Sequence, residues 1–106
     1  MIFEKQAQIC KALSDPKRLM VVHELRDGEK TVGELMGSLG LPQGNLSQHL
    51  GVMRDKGLVV AQRRGNNVFY SLASPMISRA CDIVRQVLTE QLESSQVLVN
   101  ELSGTE

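Results

Sequence analysis

TVGELMGSLGLPQGNLSQHLGVMRDKGLVVAQRRGNNVFYSL, residues 31–72, changes its hydrophobic period once: apolar residues recur at helical spacing as far as Met53 and then follow strand-like runs from Leu58 onward. Thr31 and Glu34 have the spacing of a capping box, in which each side chain satisfies a backbone amide that the new helix leaves without a partner. The helix they open carries Val32, Leu35, Met36 and Leu39 at i, i+3, i+4 and i+7, one apolar stripe. Gly40 stands where a left-handed residue ends a helix, and Leu41-Pro42 sets the tight turn that follows. A second helix runs from about Pro42 to Lys56, with Leu46, Leu50 and Met53 as its buried row. Residues of about 31–56 thus form helix, short turn, helix.

The other face of the second helix carries Gln43, Gly44, Ser47, Gln48 and Gly51, with no acidic residue before Asp55. Small and amide-bearing groups suit a surface that meets phosphates and base edges: glutamine pairs bidentately with adenine, and serine donates to a phosphate or a base. Glycines at 44 and 51 each cost about 1 kcal/mol of helix propensity relative to alanine. Either they leave room for a duplex, or an exposed position tolerates them. Asn45 borders the buried row and His49 the edge of the polar face, and both join the candidate DNA-binding set. Thr31 could touch a phosphate from the start of its helix.

After Gly57, two runs, Leu58–Ala61 and Val68–Leu72, flank Arg63-Arg64-Gly65-Asn66-Asn67. This is a hairpin over about 58–72, with Gly and Asn expected to supply the positive φ angles of its turn. Arg63, Arg64 and Asn66 at its tip are the candidate contacts to a groove or a phosphate backbone. A hairpin alone reads equally well as a solvated turn; directly after two short helices it reads as a wing.

The run KALSDPKRLMVVHELRDGEK that leads into residues 31–72 completes a resemblance. "LSDPKRL", "TVGEL", "LSQHL", "MRDKGLV" and "RRGNNVFYSL" occur in the order and spacing of the winged helix-turn-helix of bacterial ArsR/SmtB-type repressors, and the chain is similar to that family over more than half its length. The resemblance implies a mainly α fold with a small β-hairpin, dimerising through its first and last helices. It further implies a homodimer on a palindromic double-stranded operator, released by an inducer or by modification of a thiol.

A chain of 106 residues is one domain, and a dimer interface is a plausible second source of burial for so small a core. No run approaches the roughly 18–20 apolar residues of a membrane span, and the N-terminus lacks the order of a signal peptide. The expected location is cytoplasmic, with no membrane partner. Formal net charge is zero, but the charge is graded. Residues 1–42 hold six basic and six acidic groups; residues 43–72 hold Arg54, Lys56, Arg63 and Arg64 against Asp55, a local +3; the remainder sums to −3. Positive charge is concentrated in the stretch that would face DNA.

The chain ends read as a dimerisation layer. Phe3, Ala7, Cys10 and Leu13 recur at helical spacing in a helix of about 2–14. Asp15 and Pro16 then form an N-cap and N1 pair for a helix whose core contacts are Leu19, Val22 and Leu25, up to Gly28. Lys17 and Arg18 sit in its first turn, where one is expected to pair with an acid and the other to stay solvated. Ser74-Pro75 opens a last helix of about 75–94, with Ile77, Cys81, Val84, Leu88 and Leu92 as a narrow stripe that Met76, Ala80, Ile83 and Val87 widen. Beyond it, about 95–106 reads as a frayed tail.

The sensor is less legible. Two cysteines and two histidines, far apart, make no local metal motif, and no metal site is assigned. Aligned on the family, the zinc-type positions of the last helix hold Ser74, Met76, Val87 and Glu90, the soft-metal segment holds Val32 and Gly33, and the persulfide-sensing positions hold His23 and a residue in Leu88–Glu90. No cofactor is implied, while a metal or metalloid inducer stays open. Cys10 and Cys81 are either small core residues, a dithiol sensor within or between protomers, or part of a pooled soft-metal site. His23 and His49 read as structural or DNA-facing groups. The alternative function is a winged-helix protein-interaction module without DNA binding, favoured by zero net charge and opposed by Arg63 and Arg64. No nucleophile, base and orienting group assemble, so the chain does not read as an enzyme.

Overall fold

Asp15 starts the first helix that packs into the core. Its carboxylate accepts from the backbone amides of Lys17 at 2.8 Å and Arg18 at 3.3 Å, ahead of Pro16. A computed structural model describes residues 1–103 and contains, among them, α1 (Ile2–Ala12), α2 (Pro16–Leu25), β1 (Lys30–Thr31), α3 (Val32–Leu39), α4 (Gln43–Asp55), β2 (Val59–Arg64), β3 (Asn67–Leu72) and α5 (Pro75–Ser103). The fold is mainly helical with one small antiparallel sheet, a winged helix-turn-helix.

The capping box is present in full. Glu34 N donates to Thr31 Oγ1 at 3.2 Å, and Thr31 N donates to Glu34 Oε1 at 3.0 Å. Those bonds, the Thr31 amide foremost, hold the Glu34 carboxyl below its ordinary range. Gly40 ends α3 at φ 67°, a left-handed value that the Cβ of another residue would strain.

The core is built where the two helical periods meet. Val21, Val22 and Leu25 of α2, Leu35 of α3, and Leu46, Leu50 and Met53 of α4 are all but sealed from solvent, with Leu58 and Val59 closing the layer from the hairpin. Leu19, expected in this core, lies outside it at 42% exposure. Val21 takes its place, because α2 presents the neighbouring pair Val21 and Val22 to α3 and α4.

The sheet differs from a lone hairpin. Lys30 and Thr31 form a short strand against β3, with Lys30 opposite Tyr70 and Thr31 opposite Phe69, giving the order β1-β3-β2. A two-residue strand leaves no periodicity to detect, so only the fold reveals it. In the hairpin, Arg64 pairs with Asn67 across a two-residue Gly65-Asn66 loop. Gly65 has φ 62° and, among the described residues, no non-glycine residue has positive φ, so glycine alone supplies the left-handed position, as in a type II′ rather than a type I′ turn.

Element ends shift modestly. α1 stops at Ala12 with Leu13 as C-cap, and α2 stops at Leu25, three residues before Gly28. The larger correction is the tail: α5 continues to Ser103 rather than fraying after Ser94. Glu93, Gln96 and Glu101 are strong helix formers there, and Gln96 Nε2 donates to Asn100 Oδ1 at 3.1 Å, an i,i+4 bond. The last three residues of the expected tail, 104–106, lie outside the described residues.

Candidate nucleic-acid interface

Helix α4 is divided as its sequence pattern demands. Leu46, Leu50 and Met53 are buried, while Gln43, Gly44, Ser47 and Gln48 are exposed on the other side. Pro42 precedes the helix as an N-cap without a side-chain bond, so the first-turn amides of α4 face outward beside Gln43 and Gly44 without a side-chain acceptor. No acidic residue stands in the first turn. The surface can donate from amides and glutamines to acceptors such as phosphate oxygens or base edges.

Two residues of the expected set sit differently. His49 is buried to 9% exposure and faces α2. Arg18 Nε donates to His49 Nδ1 at 3.2 Å, and Arg18 NH1 donates to the Ala12 carbonyl at 3.3 Å. The reason is helical phase: His49 follows Leu46 by three residues and adjoins Leu50, which rotates it onto the core side of α4. Asn45 is half-buried, and its Oδ1 has no hydrogen-bond partner. Thr31 is half-buried as well, its hydroxyl engaged with Glu34 on both sides of the capping box.

Arg18 was not singled out for this role by its sequence position. Its guanidinium joins three helices: α2, which carries it, the last turn of α1 through the Ala12 carbonyl, and the middle of α4 through His49. Asp15 is nearby. Desolvation pushes its carboxyl up, but the amides of Lys17 and Arg18, helped by the Arg18 guanidinium, more than offset this and hold it below the usual range. A depressed carboxyl contributes stability above its unfolded value, and that contribution is lost as pH falls through the folded one. Arg18→Ala leaves the half of this network on α4 unpartnered, and should lower stability by about 1–3 kcal/mol in urea denaturation. An unchanged unfolding midpoint would show that the contact contributes nothing.

The wing arginines are exposed but not idle. Arg63 Nε donates to the Gly65 carbonyl at 3.5 Å, close to the turn, and Asn66 is exposed at the tip. Arg64 pairs with Glu29 and stacks on Phe69, its guanidinium carbon 4.0 Å from the ring centroid.

At the other end of the molecule, α1 and α5 present apolar side chains to solvent. Met1, Ile2, Phe3 and Ile9 are exposed on the first, and Met76, Ile83, Val84, Val87, Leu88 and Leu92 on the last. Ile77 and Cys81 pack instead against the core. Cys10 is exposed on the single chain, where α1 packs on the core through its last residues, and Cys81 is half-buried. Burial above all, then the Asp82 carboxylate, raises the Cys81 thiol above its ordinary value, with Arg85 opposing. Cys81 is therefore protonated at neutral pH. Alkylation of Cys81 by iodoacetamide, followed by mass spectrometry, should run slower than that of free cysteine and accelerate as pH rises beyond the ordinary thiol range. Fast labelling independent of pH would contradict that burial. His23 is exposed and accepts at Nδ1 from Arg85 at 3.0 Å, and Arg85 also bonds Asp82 at 2.6 Å. Among the described residues, no three His, Cys, Asp or Glu side chains converge to hold a metal ion.

Residues 15–60, from the cap of α2 to the start of the hairpin, match the model of the bacterial regulatory protein family arsR. An uncharacterized HTH-type transcriptional regulator of Mycobacterium tuberculosis, Rv0081, is 36% identical over 102 residues, covering 95% of this chain and 90% of its relative. The chain belongs to the ArsR family. The crystal structure of Rv0081 superposes with a TM-score of 0.80 at 37% identity, covering 89% of this chain and 95% of that one. The biofilm growth-associated repressor of Xylella fastidiosa is 41% identical over 83 residues, covering 78% of this chain and 70% of the repressor. A homodimeric winged helix-turn-helix DNA-binding domain from Mycobacterium bovis, solved by NMR, has a TM-score of 0.79 at 29% identity, covering 88% of this chain and 86% of that one. The ArsR-family relatives are transcriptional regulators, and this chain is a transcriptional regulator rather than an enzyme.

Proposed function

We propose that the protein is a homodimeric repressor that binds a palindromic double-stranded operator in the cytoplasm. The observation that carries this is the two-sided helix α4: a sealed apolar row on one side and, on the other, an exposed Gln43, Gly44, Ser47 and Gln48 surface free of acidic groups. Gln43, Ser47 and Gln48 read base edges in the major groove, Gly44 allows close approach, and Asn45 lies at the margin. Arg63, Asn66 and Arg64 of the wing meet the flanking backbone. The buried His49 supports α4 from behind, and the Thr31 hydroxyl remains with its cap.

Dimerisation is supported by the exposed apolar rows of α1 and α5, which a second copy would cover, and by the homodimeric relative. Among the described residues, no helix is long and apolar enough to cross a membrane. Release is assigned to a small inducer or to thiol chemistry at Cys10 and Cys81, and no bound cofactor is required.

The test is a fluorescence titration of palindromic promoter fragments against scrambled duplexes over a salt series. Cognate affinity in the range of about 10⁻⁸–10⁻¹¹ M, falling as salt rises, is the expected result. Equal affinity for every duplex, or none for any, would remove the repressor reading and leave a protein-interaction module. The same titration with oxidant, polysulfide or a panel of metal ions, set beside a Cys10→Ser/Cys81→Ser double variant, reads the inducer class. A double variant that still responds to thiol reagents would remove the cysteines from the sensor.

A further inference from the structure

Strand alternation places three groups from separate parts of the chain on one face of the sheet. Gln62 and Thr31 both lie opposite Phe69, one on each side of β3. Arg64, two residues beyond Gln62, therefore shares the face of Phe69, and Glu29 stands just ahead of β1 within its reach. The side chains use that arrangement: Arg64 leans back from the hairpin end, lies over the Phe69 ring and ends on the Glu29 carboxylate. An arginine expected to point outward from the wing is instead folded toward the base of the sheet.

We propose that Glu29 is a positioning residue for DNA binding, acting through Arg64: its carboxylate takes the place of a backbone phosphate and holds the arginine along the wing. This rests on the DNA-binding reading above. The effect is to remove one cation per wing from the charge that meets a duplex, so that binding off the operator is weakened. The pair is half-exposed on both sides, at 48% for Arg64 and 41% for Glu29. Solvated pairs of this kind are weak, and the ring adds a modest cation–π attraction. The latch is thus one that loss of a single charge releases. Lys30, the next residue, is already paired with Glu24 at 3.0 Å and does not compete for Glu29.

The experiment compares wild type, Glu29→Gln, Asp27→Asn and Glu29→Gln/Arg64→Ala for binding to a random-sequence duplex over a salt series, with elution from a heparin column as a second readout. Asp27 is a control for net charge. It lies two residues from Glu29, and its ion-pair partner is Arg26 rather than Arg64. Glu29→Gln should bind the duplex about two- to fivefold more tightly per wing at low salt, with a log–log salt slope steeper by about 0.9 per protomer, and should elute from heparin at higher salt. Asp27→Asn should show less of each, and Arg64→Ala should abolish the gain. A gain shared equally by Asp27→Asn, or one that survives Arg64→Ala, would overturn the proposal, as would no change in either readout. If no duplex binds the wild type but Glu29→Gln alone shifts heparin elution, the DNA-binding reading fails while the latch stands.

Discussion

Leu46→Ala should destabilise the protein by about 2–5 kcal/mol, read as a lowered midpoint in thermal or urea unfolding. Leu46 is completely buried and sits on α4 where that helix meets the core. Truncation loses the transfer free energy of the removed carbons and leaves a cavity between helices too rigid to collapse onto it. Domains of this size are stable by about 5–15 kcal/mol, so the loss takes a large share of the total. It also loosens the helix that presents Gln43 and Gln48, and DNA affinity should fall with it. A shift of only a few tenths of a kcal/mol would mean that Leu46 is not at the centre of the packing.

Gln43→Ala and Gln48→Ala should separate recognition from folding. Each removes an exposed side chain, so the unfolding midpoint should scarcely move. Loss of a base-reading amide should cost about 1–3 kcal/mol per contact, roughly fivefold to 150-fold in operator affinity. Affinity for scrambled duplexes should be nearly unchanged, because no charge is removed, and the salt slope should be that of wild type. A uniform loss on operator and scrambled duplex alike would assign these glutamines to the backbone. No loss on either would place the recognition surface elsewhere.

The contrast between these variants reflects how the site could be read. Caps at Thr31 and Asp15, the turn at Gly40, the apolar rows of α3 and α4 and the arginine-bearing hairpin were all legible, because each depends on residues within a few positions of one another. The exposed face of α4 was legible as the complement of its buried row. His49 was misplaced by one step of helical phase: it adjoins both faces, and a ring able to accept from Arg18 settles on the buried one. Leu19 and Val21 were exchanged for the same reason, since a helix as short as α2 presents adjacent residues to two neighbours at once. The continuation of α5 was missed where its apolar pattern weakens, although helix-forming residues persist.

Local order along the chain therefore specified a winged helix-turn-helix and the surface it turns outward, since hydrophobic period, capping and turn chemistry act over one or two helical turns. Which partner each charged or polar group found depended on the folded chain. Arg18 meets His49 across 31 positions and Arg64 meets Glu29 across 35, and a two-residue strand at Lys30–Thr31 pairs with β3 to complete the sheet. A salt bridge or a strand pairing between distant segments has no period to betray it. Its occurrence is set by packing, which brings those groups within reach only after the core has closed.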